Sequence, residues 1–397
     1  MESSNQPPLF TLQSDLPIDS SRLPVFNLDS FREKSYLTHN FHPYPAKFVP
    51  QIPRLIIQNL SREGATVLDP FCGSGTTLVE ARLLGRLSFG SDSNPLSALI
   101  SRAKTASLEA HHLGLIRRLQ RTVGEALIEL RTTGKSQQQI TLPEFLNRDK
   151  WFQHHALQEL ILIKTMIEQT EEGVLRDFLL TCLSAITVKS SQQESETRWR
   201  AVSKNIVKGQ VLQMFLEHLG SMLSRALEFG SLVSTKPAAQ IYQANAQDLA
   251  FLEDATIDLI VTSPPYMNSF DYYLYHKLRL FLLGFDPKYV QSVEIGSRNK
   301  HSDDGHSEQD FNREMLKCLH EFHRVVVPGG KCCLVVGDSV LKGELIKMDE
   351  VYVRLLSESN FKLLDIFTYN QRKYSKAFTQ NWQTVQKASY IILAEKI

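Results

Sequence analysis

Apolar positions recur along the chain with two different periods, and the change between them divides it. Helical spacing at Ile52, Leu55, Ile56 and Leu60 precedes Ala65-Thr-Val-Leu-Asp69, a short apolar run of the kind buried strands make. A glycine-containing turn and a helix over Thr76–Leu84 are predicted next. A second short strand, Arg86–Ser91, ends at Asp92, and Asn94-Pro95 opens a helix with proline in its first turn. Strand–helix–strand–helix alternation predicts an α/β fold with a doubly wound, mostly parallel sheet. From residue 105 to about 235 helical periodicity stands alone, over Leu108–Leu130, His154–Thr187 and Val211–Leu227. Polar breaks fall at Gly134–Gln139 and Ser190–Thr197. Alternation resumes near Gln240. A strand over Ile257–Val261 runs into Thr262-Ser-Pro-Pro-Tyr266, and a helix passes through Leu274, Leu278 and Leu282. After a polar loop, Glu294–Glu308, come a helix over Phe311–Val326, a strand over Lys331–Val336 and a helix over Met348–Ser359. Strands Phe361–Tyr369 and Ala388–Ala394 end the chain as a hairpin. The expected organisation is a loose arm over 1–35, an α/β domain built from 36–104 and 240–397, and a helical insertion over 105–239.

Composition narrows the classes. The 397 residues carry a formal net charge of +1, with 22% charged and 42% hydrophobic residues, which excludes a disordered chain, a collagen or a coiled coil. With so little net charge, any nucleic-acid contact must come from local basic patches. No apolar run reaches membrane-spanning length, and Met1–Leu9 lacks an apolar signal core. The five cysteines lack metal-ligand spacing, so reduced thiols in a cytoplasm are expected and no metal site is indicated.

Two turns carry candidate chemistry. Asp69-Pro-Phe-Cys-Gly73-Ser-Gly75-Thr-Thr77 sits between a strand and a helix, where glycines admit a close ligand and the helix start supplies free N–H groups. Asp92 ends the next strand, near the spacing at which an acid bonds ribose hydroxyls in nucleotide-binding folds. The turn is neither Gly-x-Gly-x-x-Gly nor a Gly-Lys-Ser/Thr loop, which disfavours a nicotinamide oxidoreductase and a triphosphate site. An adenosine-containing ligand without a polyphosphate fits better, and a tight turn with no ligand stays open. In Ser263-Pro264-Pro265-Tyr266 the prolines remove two N–H donors, leaving the serine hydroxyl and nearby carbonyls as acceptors, with Tyr266 as a flat face. Such a site suits an exocyclic amino group whose nitrogen is to be methylated. A structural diproline turn is the plainer alternative.

Together these blocks resemble the S-adenosylmethionine-dependent amino-methyltransferases of DNA, most closely the cytosine-N4 branch. His42-Pro-Tyr-Pro-Ala-Lys-Phe48 resembles the family's N-terminal cofactor-side motif, the Asp69–Thr77 block its cofactor loop and Thr262–Tyr266 its catalytic motif. The resemblance covers roughly 39–104 and 240–397 and implies a Rossmann-like class I methyltransferase fold. It implies that Phe71, Gly73 and Gly75 shape the S-adenosylmethionine pocket and that Asp69 helps place the methionine moiety. Asp92 would hold the ribose, Asp248 would read the adenine amino group, and Lys47 and Phe48 would close the site. Ser263 and the Pro264 carbonyl would grip the target amino group within the Ser263–Pro264–Pro265–Tyr266 turn, and Tyr266 would stack the flipped base. Serine at the first position is typical of cytosine-N4 enzymes and aspartate of adenine-N6 enzymes. Asn268, Asp271 and Tyr272 are candidates to line the base pocket.

The expected substrate is double-stranded DNA, read at a short specific sequence, with a cognate restriction endonuclease as a candidate partner. The insertion is the candidate target-recognition region, a helical cover or dimer interface being the alternative. Within it, Arg198 and Arg200 flank Trp199, with Lys204 and Lys208 following, a pattern suited to base edges and phosphates, a solvated polar loop being the alternative. Arg372 and Lys373 sit in a basic loop between the last two strands and suit backbone contacts, a plain solvated hairpin loop being the alternative. Cys72 is read as a packing residue, because a cysteine nucleophile belongs to carbon-5 methylation. Cys332 and Cys333 are read as core. Adenine-N6 methylation, guanine-N2 methylation of structured RNA and a catalytically silent DNA-binding protein are the competing readings.

Overall fold

A computed structural model describes residues 36–133, 142–145, 147–170, 173–268, 270–298, 300, 307–369 and 388–397. The expected N-terminal arm and the basic loop with Arg372 and Lys373 lie outside the described residues. The chain opens with α1 (Gln51–Leu60), β1 (Thr66–Asp69), α2 (Thr76–Leu83), β2 (Leu87–Asp92) and α3 (Pro95–Thr105). The insertion adds α4 (Ala110–Thr133), α5 (Arg148–Trp151), α6 (His154–Glu168), α7 (Val174–Ile186), β3 (Gln193–Ser195), β4 (Arg198–Ala201) and α8 (Gln210–Val233). There follow β5 (Gln240–Gln243), β6 (Ile257–Thr262), α9 (Tyr272–Tyr275), α10 (Lys277–Leu283), α11 (Pro287–Val293) and α12 (Glu308–Val325). The last elements are β7 (Val326–Gly337), β8 (Ser339–Leu341), β9 (Glu344–Ile346), α13 (Met348–Glu358), β10 (Phe361–Tyr369) and β11 (Ser389–Lys396).

Seven strands make one Rossmann-like sheet in the order β10-β11-β7-β6-β1-β2-β5. The strands from β7 to β5 run parallel, while β11 is antiparallel to both β7 and β10. The chain starts at β1, steps out to β2 on one side and later returns to β6 on the other. That reversal opens a crevice beyond the carboxyl ends of β1 and β6, where ligands bind in such folds. Because Val67 pairs with Leu259 and Leu68 with Ile260, Asp69 and Thr262 emerge side by side.

Alternation along the strands loads both faces of the sheet. Leu68, Ile260 and Cys332 pack on one face, and Val67, Leu259, Val261 and Cys333 on the other. The adjacent cysteines therefore face opposite ways, as period-two geometry requires, and both are fully buried. All five cysteines are free and buried. Among the described residues, no helix is long and apolar enough to cross a membrane.

Residues 105–239 supply most of a second core cluster. Ile116, Leu119 and Val123 of α4 meet Leu212, Phe215 and Leu219 of α8, and Phe41, Leu278 and Leu282 join this cluster from outside the insertion. Buried Glu159 of α6 caps α8, accepting from the N–H groups of Gly209 (2.6 Å), Val211 (3.0 Å) and Leu212 (3.2 Å). Such bonds satisfy donors that a helix start leaves open. Glu159→Ala is expected to cost about 2 kcal/mol of stability, because buried donors lose a charged acceptor; urea unfolding monitored by circular dichroism checks it.

Four local expectations are corrected. The helical stretch His154–Thr187 is two helices, α6 and α7, with Gly173 at a φ of +111° before the second. The polar break at Ser190–Thr197 contains β3 and leads into β4, a hairpin too short to show alternation. The helix through Leu274, Leu278 and Leu282 is broken at His276 into α9 and α10, and α11 follows, capped by Asp286. The β8–β9 hairpin, three residues per strand, was not anticipated for the same reason of length.

Candidate active site

The crevice beyond β1 and β6 is a cavity of about 1300 Å³. Phe71, Cys72, Gly73 and Ser74 of the glycine turn line it, together with Asp69, Asp92 and all four residues Ser263–Tyr266. Two turns separated by 190 residues of sequence thus share one wall, because their strands are neighbours.

Asp69 is fixed by the sheet. Its Oδ1 accepts from the Thr262 hydroxyl at 2.6 Å and from the Phe71 N–H at 3.2 Å. Burial pushes its carboxyl up to about 6, against the lowering effect of those bonds. Asp92 is held from both sides, with Oδ2 accepting from Gly73 N–H at 2.9 Å and Oδ1 from Asn94 N–H at 2.8 Å. Burial pushes it, too, up to about 6. Gly73 has a φ of +49°, and a Cβ there would reach only ordinary contact with the Tyr44 ring at 3.6 Å, so backbone conformation selects the glycine. Gly75 does not line the cavity; its φ of +75° and a Cβ that would come within 2.8 Å of the Ser101 hydroxyl on α3 both select glycine there.

The N-terminal block reaches the cavity through a buried anchor. Glu80 on α2 receives Tyr36 and His39 at 2.7 Å and Arg54 at 3.0 Å. That anchor fixes residues 36–39 beside α2, and Tyr44, Lys47 and Phe48 then enter the cavity wall. Lys47 donates to the His39 carbonyl at 2.8 Å, and burial lowers its ammonium to about 8.

In the diproline turn, the Ser263 hydroxyl donates to the Val335 carbonyl at 3.0 Å and lies 3.0 Å from the Tyr266 hydroxyl. With its proton given to Val335, the serine oxygen keeps acceptor capacity, which it shares between the cavity it lines and the neighbouring Tyr266 hydroxyl. Tyr352 donates to the Pro265 carbonyl at 3.3 Å, and among the described residues none donates to the Pro264 carbonyl. Asn268 and Tyr272 line the cavity, but Asp271 does not; its carbonyl accepts from Leu274 N–H at the start of α9.

Asp248 is displaced from its expected place. It is exposed, accepts from Ala250 N–H at 3.2 Å and does not line the cavity; Asn245 and Ala246 do. A tight turn, Asp248 N–H to Asn245 carbonyl at 2.9 Å, carries the acid past the wall. Cys72 lies buried against Ser101, its thiol pushed up by burial, which suits packing.

The insertion contributes through its hairpin. Thr197, between β3 and β4, lines the cavity. Fully buried Arg279 of α10 pins that turn, donating to Glu196 at 2.6 Å and to the Ser184 carbonyl at 3.0 Å. Trp199 packs on Trp151 with ring centroids 4.0 Å apart, while Arg198 and Arg200 are exposed. Lys204 is turned inward, donating to the Val188 carbonyl at 2.8 Å, and is not presented to a phosphate. Thr197 and Glu294, both in the cavity wall, were not singled out from sequence. Each reaches the wall through contacts distant along the chain, and no local signal marks them.

An acid ending β2, a glycine turn opening α2 and a diproline turn after β6 meet at the switch point of a doubly wound sheet, the place where α/β folds of the nucleotide-binding class hold their ligands. The chain belongs to the DNA methylase family of N6 and N4 amino-methyltransferases, whose model matches residues 17–100 and 257–396. Among its relatives, the type II methyltransferase M.MvaI of Kocuria varians is 32% identical over 247 residues, 59% of this chain and 54% of that protein. The chain thus spans about half the length of that relative. The type II methyltransferase M.BsoBI of Geobacillus stearothermophilus is 22% identical, over 86% of this chain and 82% of that one. A solved S-adenosylmethionine-dependent methyltransferase from Methanosarcina mazei aligns with 86% of the chain and 97% of its own, with 12% identity and a TM-score of 0.33.

Proposed function

We propose that the protein transfers a methyl group from S-adenosylmethionine to the N4 amino group of cytosine within a short sequence of double-stranded DNA. The observation that carries this reading is the shared cavity: the Ser263 hydroxyl and the Asp69–Gly73–Asp92 wall face the same space. Its volume of about 1300 Å³ exceeds the usual span for one small ligand, in keeping with two that must meet.

The donor set fits the cofactor. The Asp92 carboxylate, oriented by two backbone N–H groups, is an acceptor for vicinal ribose hydroxyls. Asp69 and the glycine turn would flank the methionine moiety, and Lys47 and Phe48 would close over it. When bound, S-adenosylmethionine supplies an electrophilic methyl group on a sulfonium. The protein's part is positioning, which accounts for much of the rate in such reactions.

The target base must leave the duplex to reach this depth. Ser263 Oγ and the Pro264 carbonyl would accept the two amino hydrogens. That grip draws the nitrogen toward tetrahedral geometry and frees a lone pair otherwise delocalised into the ring. Tyr266 and Tyr272 offer the aromatic faces of the pocket. Serine rather than aspartate at position 263 favours cytosine over adenine. The type II relatives support a restriction-linked role, with a cognate endonuclease as partner.

The hairpin of β3 and β4 is the part of the insertion we assign to DNA, since Thr197 of its turn lines the cavity and Arg198, paired with Glu194 at 3.0 Å, and Arg200 are exposed beside that turn. Arg198→Ala with Arg200→Ala is expected to weaken DNA binding and to lower the salt slope of log affinity by about 2, one unit per lost phosphate contact. Fluorescence anisotropy at several salt concentrations tests this; an unchanged slope removes these residues from the interface.

A further inference from the structure

Glu294 follows α11 and lines the cavity. Its Oε1 accepts the Tyr273 N–H at 2.8 Å, which fixes the side chain. Its Oε2 is buried and has no hydrogen-bond partner among the described residues. The segment is pressed on the catalytic turn: a Cβ at Gly296, where φ is +69°, would stand 2.6 Å from the Tyr266 carbonyl. Asp271 and Asp92 face Glu294 with like charge, Lys300 opposes them, and Tyr272 lies within electrostatic reach of Glu294, Asp92 and Tyr266. Burial, reinforced by the two aspartates, raises the Glu294 carboxyl to about 8, so it keeps its proton at neutral pH.

A neutral carboxylic acid pairs an O–H donor with a carbonyl acceptor. Its complement is an amino group beside a ring nitrogen. The target base has such an edge, but in the proposed grip both of its amino hydrogens would go to Ser263 and the Pro264 carbonyl. The cofactor's adenine has the same edge, and Asp248, expected to read it, lies outside the cavity. Glu294 stands within electrostatic reach of Asp92, the ribose acid.

We propose that Glu294 is the recognition residue for the cofactor's adenine, Oε2 donating to the ring nitrogen and Oε1 accepting from the adenine amino group. This rests on the reading that the cavity binds S-adenosylmethionine.

The test is titration calorimetry of S-adenosylhomocysteine, without DNA, against the wild type, Glu294→Gln and Glu294→Ala. Glutamine keeps one acceptor and one donor, as the protonated acid does, and preserves the bond to Tyr273. At pH 7 alanine is expected to weaken binding about tenfold, the size of one buried hydrogen-bond loss, and glutamine to stay within about threefold. Above pH 8 the wild type should lose affinity relative to Glu294→Gln, because the ionised acid turns a lone pair toward the ring nitrogen. That ratio cancels the titration of Lys47 and of the ligand's amine, which both proteins share. Thermal melting of each variant separates lost binding from lost folding. Unchanged affinity in Glu294→Ala overturns the proposal, as does a constant ratio from pH 7 to 9.5 or a loss confined to turnover on DNA. A wild type that binds no S-adenosylhomocysteine is instead the failure of the functional reading itself.

Discussion

Replacing Ser263 with alanine is expected to lower methyl transfer about a thousandfold while leaving cofactor affinity within twofold. The size follows from losing a preorganised polar contact at the reacting atom, which typically costs 10²–10³ in rate. The serine hydroxyl is positioned by its bond to the Val335 carbonyl at 3.0 Å, so the folded protein has already organised this acceptor. Alanine leaves the Val335 carbonyl to Tyr266, whose hydroxyl lies 3.3 Å away, so the turn keeps its shape. The loss therefore belongs to turnover. Single-turnover kinetics with saturating DNA, beside calorimetry of cofactor binding, separates the two. A variant with normal turnover would refute the amino-group grip.

The second large effect is on cofactor affinity. Asp92→Ala is expected to weaken S-adenosylmethionine binding about a hundredfold, because the ribose loses a charged acceptor and two backbone donors lose theirs, at about 1.5–3 kcal/mol per charged bond. The N–H groups of Gly73 and Asn94 both depend on this carboxylate, so the glycine turn loosens as well. The pH dependence has a definite sign. Asp92 and Asp69 both titrate near 6 in the folded protein, above their ordinary 3.8. Between about pH 4 and 6 the folded state holds protons that the unfolded chain has shed, so these two acids lower the stability of the free protein as pH rises through that window. Ionised Asp92 is the form that accepts from ribose hydroxyls, so cofactor affinity should climb as pH rises through 6. Calorimetry from pH 5 to 7 reads the limb, and in Asp92→Asn only the weaker contribution of Asp69 should remain.

The parts of the site legible in sequence are those whose chemistry is local. The apolar run before Asp69 announces a buried strand, and Asn94-Pro95 caps α3 as expected, Asn94 accepting from Leu96 N–H at 3.0 Å. The two prolines of Ser263-Pro-Pro-Tyr266 stop a strand, and the turn falls at the end of β6 as the sequence predicts. What escaped the sequence depends on direction or on distant partners. Asp248 and Asn245 are one turn apart in the same polar loop, and only the course of that turn decides that Asn245 meets the cavity. Gly75 is absent from the cavity wall, and its left-handed backbone together with the close approach of α3 accounts for it. Lys204 looked available for phosphate until the fold placed the Val188 carbonyl beside it. Glu294 lies 28 residues beyond Tyr266 in sequence, and only the packing of α9 to α11 returns it to the same wall.

The central claim, transfer of a methyl group to the N4 amino group of cytosine in DNA, is tested most directly by the product. Purified protein would be incubated with unmethylated genomic DNA and isotopically labelled S-adenosylmethionine, with Ser263→Ala alongside, and the DNA digested to nucleosides for mass spectrometry. The expected result is labelled N4-methylcytosine from the wild type and none from the variant. Label in N6-methyladenine, or no labelled base from a protein that binds the cofactor, would contradict it.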